Sequence, residues 1–257
     1  MKLRAATDAD VPAIAALVLA VASVEAPWAS YLPARQRRDP VLVRHAEAVV
    51  RGHVAAGEQT SVVMVGEQTS VVMVAEQTSV VMVAEQRCAS GELGRAEIVS
   101  VAVWDTTQTV CGRTDPTSCV REDEWAPRGA EDYARLVALN EAMNKGRRRY
   151  FAAEGQPHVY LRVLATHPDH QGRGHAKALC RWGIALARRA RVGVCLETGS
   201  RGYIMLSGMG FEDLGAVVVP AGKGHDEQVF KVLGMDAAAV QAANPGVWDS
   251  LWKYLST

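Results

Sequence analysis

The sequence predicts an α/β fold, with a sheet covered by helices in one main domain. Segments typical of strands and of helices alternate along the chain. Apolar residues make up 49% and charged residues 22% of the 257 residues, which is typical of a globular protein. The 28 basic and 28 acidic residues leave no net charge, so nothing in the overall charge favours binding to nucleic acid or to an anionic membrane.

The first elements are a short strand and two helices. The strand covers 2–7, and apolar residues then recur at helical spacing over 14–21. Asp10 is a favourable residue at the start of that helix and is foreign to a secretory signal. The second helix begins at Pro40, and Asp39 is its expected N-terminal cap.

A tandem repeat of nine residues follows. Its copies are Gly57–Val65, Gly66–Val74 and Ala75–Val83, each with the sequence GEQTSVVMV apart from one Gly→Ala change. Each copy is long enough for one short strand but too short for a solenoid unit. We interpret the repeat as a duplicated strand of which one copy suffices for the fold, and we predict a hairpin from the strands 78–86 and 98–105.

Residues 106–157 form an apparent insertion. The stretch 106–128 is polar and contains several turn residues, so we predict a long loop of functional importance. A helix is expected from Ala130 to about Lys145, with one apolar side formed by Tyr133, Leu136, Val137 and Met143.

The cysteines indicate a reducing compartment. They are Cys88, Cys111, Cys119, Cys180 and Cys195, an odd number without Cys-x-x-Cys spacing. We therefore expect free thiols and a cytoplasmic protein. Because Pro168 breaks the helix that would align His167 with His170, we expect no metal site there.

The second half contains the most informative segment. The strand 158–166 is followed by the sequence His-Pro-Asp-His-Gln-Gly-Arg-Gly-His-Ala and by a helix that reaches about Ala190. The remaining predictions are a strand over 192–197, a helix over 200–209, strands over 216–219 and 228–233, and a C-terminal extension, 235–257, that closes with an amphipathic helix.

The glycine-containing turn between a strand and a helix predicts an anion site. The first N–H groups of a helix have no partner within the helix and lie at its positive end. Gly172 and Gly174 have no side chain to keep a phosphate from the backbone. The helix also carries a basic arc, interrupted by Ile184 and formed by Arg173, Lys177, Arg181 and Arg188.

Three phosphate-binding motifs can be compared with this loop. The Gly-Lys-Ser/Thr of a Walker A loop is absent. A dinucleotide fingerprint needs a third glycine where Lys177 stands, so a nicotinamide-dependent enzyme is disfavoured. A loop of the form Gln/Arg-x-x-Gly-x-Gly/Ala matches Gln171, Gly174 and Ala176.

With this motif the sequence resembles the GCN5-related N-acetyltransferase (GNAT) superfamily. The run LRVLATHPDHQGRGHAKAL is similar to its acetyl-CoA loop, and the order of elements is similar over 1–234. The segments VAVW (101–104), PDHQG (168–172) and LET (196–198) resemble fungal small-molecule acetyltransferases and the puromycin acetyltransferase type.

The resemblance implies a single domain with a mixed central sheet that is splayed between the strands 161–166 and 192–197. It also implies acetyl-CoA as cosubstrate, with the pantetheine arm in the gap, and the amine of a small molecule as acceptor. It makes no prediction about the oligomeric state. The implied binding residues are Leu164, Ala165, Thr166, Gln171, Gly172, Arg173, Gly174, His175 and Ala176.

The catalytic residues depart from the family pattern. The family's general acid is commonly a tyrosine in Leu-Tyr-x-x-x-Gly-Phe, and here Leu206 holds that place, while Gly199 replaces an Asn or Ser. Tyr203, one helical turn earlier, is the candidate catalytic residue. By residue type the candidates for the general base are His158, Glu141 and Glu197. An enzyme is the leading hypothesis, and a catalytically silent CoA-binding module is the alternative.

Overall fold

The computed structural model describes residues 1–26, 28–32, 37–58, 79–87, 96–106, 130–151, 157–221 and 226–243. The strands are β1 (Lys2–Ala5), β2 (Ser79–Arg87), β3 (Ala96–Asp105), β4 (His158–Thr166), β5 (Gly193–Thr198), β6 (Glu212–Val219) and β7 (Gln228–Met235). The helices are α1 (Val11–Ala22), α2 (Pro40–Glu58), α3 (Ala130–Tyr150), α4 (His175–Ala190), α5 (Ser200–Ser207) and α6 (Ala237–Ala242).

The strands of this part of the chain form one seven-stranded sheet in the order β1-β2-β3-β4-β5-β7-β6. β4 and β5 are parallel, and the other neighbours are antiparallel. The mixed α/β architecture predicted from the sequence is therefore confirmed.

β4 and β5 part halfway along β4. Their pairing ends at Leu161 and Leu196, whereas β4 continues along β3 as far as Thr166. In the β3–β4 ladder Val163 pairs with Val103 and Leu161 pairs with Trp104, so Arg162 is an extra residue. Such a β-bulge bends its strand, and here it lies where β4 leaves β5. The gap between the two strands is the splay that the resemblance implied.

The sheet has two differently covered faces, which we call the α3 face and the α4 face. On the α3 face, α1 and α2 pack over β2 and β3, and α3 packs over β4, β6 and β7. On the α4 face, α4, α5 and α6 enclose a core that includes Trp104, Leu161, Leu196 and Leu206. The site described below lies where the strands part between these two faces.

Polar contacts fix the N-terminal elements. The carboxylate of Asp10 accepts hydrogen bonds from the Thr7 N–H at 2.7 Å and from the Arg4 guanidinium at 2.7 and 2.8 Å. Arg4 also donates to Glu85 at 2.6 Å, which ties β1 to β2. The predicted cap of α2 is confirmed, because Asp39 accepts from the Val41 N–H at 2.9 Å.

The predicted basic arc of α4 is unevenly exposed, because Arg173, Lys177 and Arg181 are exposed whereas Arg188 is half-buried. Arg188 donates to the carbonyls of Val240 and Ala243 at the end of α6. α6 therefore packs on this part of α4, and Ile184, the apolar exception in the arc, is buried in a core that also contains Val240 of α6. The sequence did not predict α6, which begins after Asp236, a cap that accepts from the Ala239 N–H at 2.6 Å.

Other predictions are only partly tested. β2 contains the last residues of the third repeat copy, while 59–78 lie outside the described residues. The same holds for 107–129 and for the C-terminal amphipathic helix after Ala243. In α3, Met143 is buried as expected, but Val137 is 37% exposed, and the side chains of Tyr133 and Leu136 are outside the described set. None of the described helices combines the length and the apolar character that a membrane span requires.

Candidate functional site

The loop between β4 and α4 forms a cradle of main-chain amides, which we define as residues 172–177. Gly172 has φ +74° and Gly174 has φ +83°, a left-handed conformation that suits glycine. A Cβ atom at either position would meet no atom within 4 Å. Gly174 precedes the first residue of α4, and no side chain caps this helix end.

The amides of the cradle are available to a ligand. Within the described chain, no group accepts a hydrogen bond from the N–H groups of 172–177. Gly172, Arg173, Gly174 and Lys177 are exposed, and Ala176 is half-buried. Several N–H groups at the positive end of a helix can therefore hold one anion together.

His175 is the buried member of the cradle. Its Nδ1 contacts the Met1 sulfur at 3.0 Å, and its Nε2 is buried without a hydrogen bond in the described structure. Burial, together with positive charge from His170 and from the chain's first amine, lowers the pKa of the ring. The group that His175 could offer to an anion is thus its main-chain N–H.

The side chain of Gln171 braces the loop. Its Nε2 donates to the Thr166 carbonyl at 3.2 Å and to Glu25 Oε1 at 2.8 Å. Its Oε1 accepts from Arg201 at 3.1 Å, and Arg201 also donates to Glu25 Oε1 at 3.2 Å. Gln171 thus joins the end of β4 to the ends of α1 and α5.

The last residues of β4 are held on the β3 side. Ser100 Oγ donates to the Ala165 carbonyl at 2.8 Å and lies 2.8 Å from Thr166 Oγ1. Leu164 packs against the core of the α4 face. These contacts leave the other edge of β4 facing the gap, where β5 would otherwise pair with it.

A buried polar cluster lies on the α3 face at the parting of β4 and β5. The Tyr160 hydroxyl donates to Glu197 Oε2 and accepts from Arg147 Nε at 3.0 Å. Arg147 Nε is 3.6 Å from Glu197 Oε1. Arg162, the bulge residue, forms an ion pair of 2.9 Å with Asp105, which is opposite Tyr160 in the sheet.

Burial governs the protonation of this cluster. It raises the pKa of Glu197, against the lowering effects of the Arg147 charge and the Tyr160 hydrogen bond. Burial also raises the pKa of Tyr160 well above its ordinary value, and the neighbouring Glu197 charge adds to the effect. The phenol therefore keeps its proton, and the carboxyl holds a proton more readily than an exposed glutamate does.

The α4 face has no polar group at the family's tyrosine position. Leu206 is 1% exposed and belongs to the apolar core of that face. Gly199 caps α5 without a side-chain hydrogen bond. Where the sequence departs from the family pattern, the structure thus has a buried apolar side chain at Leu206 and a helix N-terminus without a side-chain cap at Gly199.

Tyr203 lies over the outer hairpin. Lys231 Nζ is 5.4 Å from the centroid of its ring. The phenol also contributes to the low pKa of Asp213, whose largest cause is the hydrogen bond from Lys231. Lys231 pairs with Thr198 across β5 and β7, so these contacts lie on the side of β5 away from β4. The role of Tyr203 as general acid stays a prediction.

The three candidates for the general base occupy different places. His158 is buried at the start of β4, with its ring 5.7 Å from that of Phe151, at the end of the strand away from the gap. Glu141 lines an open groove of about 430 Å³ between α3 and β6. Glu197 directly follows the last residue of β5 that pairs with β4. Tyr160 and Arg147 were not predicted from the sequence. The only signal for Tyr160 was a polar group within a buried strand, and the only signal for Arg147 was a polar group beyond the predicted end of α3.

Cys180 and Cys195 are free and buried, and the described residues hold no group of three or more potential metal ligands of the His, Cys, Asp or Glu type. Cys180 lies in the core of the α4 face and Cys195 in that of the α3 face.

Comparisons with known proteins show what the chain is similar to. Residues 100–201 match the sequence model of the acetyltransferase (GNAT) family. No curated protein gives a significant match.

Solved structures resemble the chain at low sequence identity. An arylalkylamine N-acetyltransferase from the yellow fever mosquito is 14% identical, with a TM-score of 0.55 over 91% of this chain and 86% of that one. An agmatine N-acetyltransferase is 12% identical, with a TM-score of 0.51 over 91% and 98%. A ribosomal-protein-alanine N-acetyltransferase from Brucella melitensis is 15% identical, with a TM-score of 0.50 over 92% and 99%.

At these identities the structural likeness establishes the fold, and the sequence match locates the family signature. The matched segment contains the bulged strand, the parting of β4 and β5, and the amide cradle. Residues 100–201 are therefore the part of the chain that is similar in sequence to the acetyltransferase (GNAT) family.

Proposed function

We propose that the protein transfers the acetyl group of acetyl-CoA to the amine of a small molecule by direct attack. The observation that carries this proposal is the cradle at 172–177, with its outward N–H groups and its two glycines in the left-handed region. Such an arrangement fits a diphosphate, because several amides can share the charge without a side chain in the way. Acetyl-CoA contains a diphosphate and supplies the acetyl group as a thioester.

The gap between β4 and β5 suits the pantetheine arm. The arm carries amide groups that can pair with the free edge of β4 near Leu164 and Thr166. Ser100 and Gln171 fix the carbonyls of Ala165 and Thr166, so the edge is rigid before a ligand arrives. The carboxyl ends of the two strands and the cradle lie at the same end of the gap, which would place the thioester near the bulge at Arg162.

In direct transfer the protein itself would orient the amine and polarise the thioester carbonyl. The amine must attack as the neutral base, and a main-chain N–H of β4 would stabilise the negative charge that develops on the thioester oxygen. Removing the proton from the amine requires a base. In this scheme Tyr203 is the predicted acid that returns a proton to the sulfur.

The acceptor would enter from the α3 face. α3, the described part of the insertion, places Arg147 in the polar cluster there. The amine acceptor of the proposal thus approaches polar groups, while the apolar core of the α4 face closes the other side.

A silent CoA-binding module is the second candidate, and buried Leu206 favours it. Without a group at the family's tyrosine position, the cradle and the gap would still bind CoA. The two candidates differ only in turnover.

Two measurements test the proposal. Calorimetry with acetyl-CoA tests binding, and thiol release from acetyl-CoA over a panel of primary amines tests transfer. Release that depends on an amine supports the enzyme, binding without release supports the silent module, and absence of binding contradicts both. Tyr203→Phe tests the acid: a lower kcat at unchanged acetyl-CoA affinity supports its role, and unchanged kcat removes it.

A further inference from the structure

We propose that Glu197, paired with Tyr160 and positioned by Arg147, accepts the proton of the attacking amine on the α3 face of the sheet. This inference rests on the proposed function and assigns its base. It selects one of the three candidate bases that the sequence left unranked, and adds two residues that the sequence did not indicate.

The position of Glu197 is the first argument. β4 and β5 are paired up to Leu161 and Leu196, so Glu197 is the first residue of β5 beyond the pairing. Successive side chains alternate between faces, which puts Glu197 on the same face as Cys195, a member of the α3-face core. The carboxyl therefore borders the gap in which the thioester would lie.

The second argument is an open oxygen. Tyr160 occupies Oε2, whereas Oε1 is buried and makes no hydrogen bond within the described structure. The Glu197 side chain is 1% exposed, and its nearest cation, Arg147 Nε, is 3.6 Å from Oε1. Because a buried oxygen is costly without a donor, Oε1 is the natural acceptor for an amine or for one bridging water.

Arg147 and Tyr160 hold the carboxyl in place. The guanidinium donates to the phenol and lies 4.7 Å from the centroid of its ring, and the phenol donates to Oε2. Arg147 comes from α3, and Tyr160 from β4. The carboxyl is thus fixed from a helix and from the neighbouring strand, as a positioned base requires.

The charged and titratable groups around Glu197 are consistent with this role. Arg147 faces it from α3, and Tyr160 and Arg162 face it from β4. Asp105 on β3 neutralises Arg162, and Cys195 on β5 is buried with a raised pKa. Burial raises the pKa of Glu197 above its ordinary value, toward the range in which a general base works best.

The proton balance is simple. The neutral amine attacks the thioester carbonyl, a C–N bond forms, and the C–S bond breaks. The proton shed by nitrogen passes to Glu197 Oε1, directly or through one water, and the thiolate takes a proton from Tyr203, the predicted acid, which regains one from solvent. Glu197 then returns its proton to solvent, so the net reaction yields amide and thiol.

The experiment compares pH profiles of kcat/KM for an amine found active in the thiol-release panel. The variants are Glu197→Gln, Tyr160→Phe and Arg147→Lys, with Glu212→Gln on β6 as an exposed control of the same chemistry. Removal of a base typically costs about 100-fold or more, so we expect Glu197→Gln to lose at least that factor in kcat. We also expect it to lose the rise of kcat/KM with pH.

The positioning residues give a signed prediction. Tyr160 and Arg147 both lower the pKa of Glu197, so Tyr160→Phe moves the acid limb of the profile to higher pH. Arg147→Lys keeps the positive charge, so we expect its acid limb to stay close to the pH of the wild-type limb. Acetyl-CoA affinity and the thermal transition of each variant identify any loss that comes from misfolding.

The possible outcomes distinguish a failure of the Glu197 assignment from a failure of the proposed acetyl transfer. If wild-type protein binds acetyl-CoA but acetylates no amine, the proposed transfer fails and the base is withdrawn with it. If wild-type protein is active and folded Glu197→Gln keeps both its rate and its acid limb, the transfer stands and the assignment of Glu197 is wrong. A limb that stays in place in folded Tyr160→Phe contradicts the pairing.

Discussion

The substitution Gly174→Ala probes the cradle most directly. The residue has φ +83°, where an L side chain costs roughly 1–2 kcal/mol relative to glycine. A Cβ there meets no protein atom within 4 Å, so packing adds no further cost. We therefore expect a loss of about 1–2 kcal/mol in the free energy of unfolding, and a fall of about 2–4 °C in Tm for each kcal/mol.

The same methyl group would project from the end of α4, where the amides are open. If a diphosphate lies against those amides, the methyl displaces it, and we expect acetyl-CoA to bind at least about tenfold more weakly, or about 1.4 kcal/mol. Thermal denaturation gives the first quantity and calorimetry with acetyl-CoA gives the second.

Gly52→Ala is the matched control. Gly52 lies within α2, and a Cβ there also meets no atom within 4 Å, but its φ is not in the left-handed region. We expect this change to stabilise the protein by about 0.5–1 kcal/mol and to leave acetyl-CoA affinity unchanged. Wild-type affinity in folded Gly174→Ala would refute the placement of the diphosphate on the cradle.

Three further predictions concern stability. Gly183→Ala would place Cβ 2.1 Å from the ring of buried Trp104, so we expect a loss of about 1–3 kcal/mol or more in urea denaturation, and wild-type stability would contradict this packing. The hydrogen bond from Arg4 lowers the pKa of Asp10 below its unfolded value of about 3.9. The ionised carboxylate therefore stabilises the folded state above that pH, and this stabilisation is lost as the pH falls through the folded pKa. We expect urea midpoints measured from pH 7 to pH 2 to fall less with acid in Asp10→Asn than in the wild-type protein. Deletion of the first two repeat copies should leave a folded protein by circular dichroism, because the third copy contributes to β2, and insoluble protein would show that the extra copies are structural.

The fold could be predicted where local pattern and tertiary structure agree. The predicted strand 158–166 is β4 as observed, since its buried residues and its terminal loop are both local signals. The burial of Ile184 could not be predicted, because Ile184 lies in a core that includes Val240 of α6, a short helix that the sequence did not predict. The bulge at Arg162 is likewise invisible, because it is a property of the β3–β4 register and has no glycine to mark it.

The candidate site likewise has one part that could be predicted from local sequence and one part that could not. The cradle was predictable, because its glycines, its helix start and its spacing lie within one short run of sequence. The polar cluster was not, since Arg147 and Glu197 are brought together by α3 and β5 from distant parts of the chain. From the sequence, Glu197 is one of three candidates for the general base. Only its position where β4 and β5 separate distinguishes it from the other two.

A grip made of peptide N–H groups has an evolutionary consequence. Every non-proline residue offers the same donor, so if the cradle holds the carrier as proposed, most substitutions in the loop would leave those hydrogen bonds in place as long as the glycines retain their conformation. Recognition of the other substrate depends on side chains, each of which a single mutation can change. A lineage can therefore exchange one acceptor for another while its carrier stays the same.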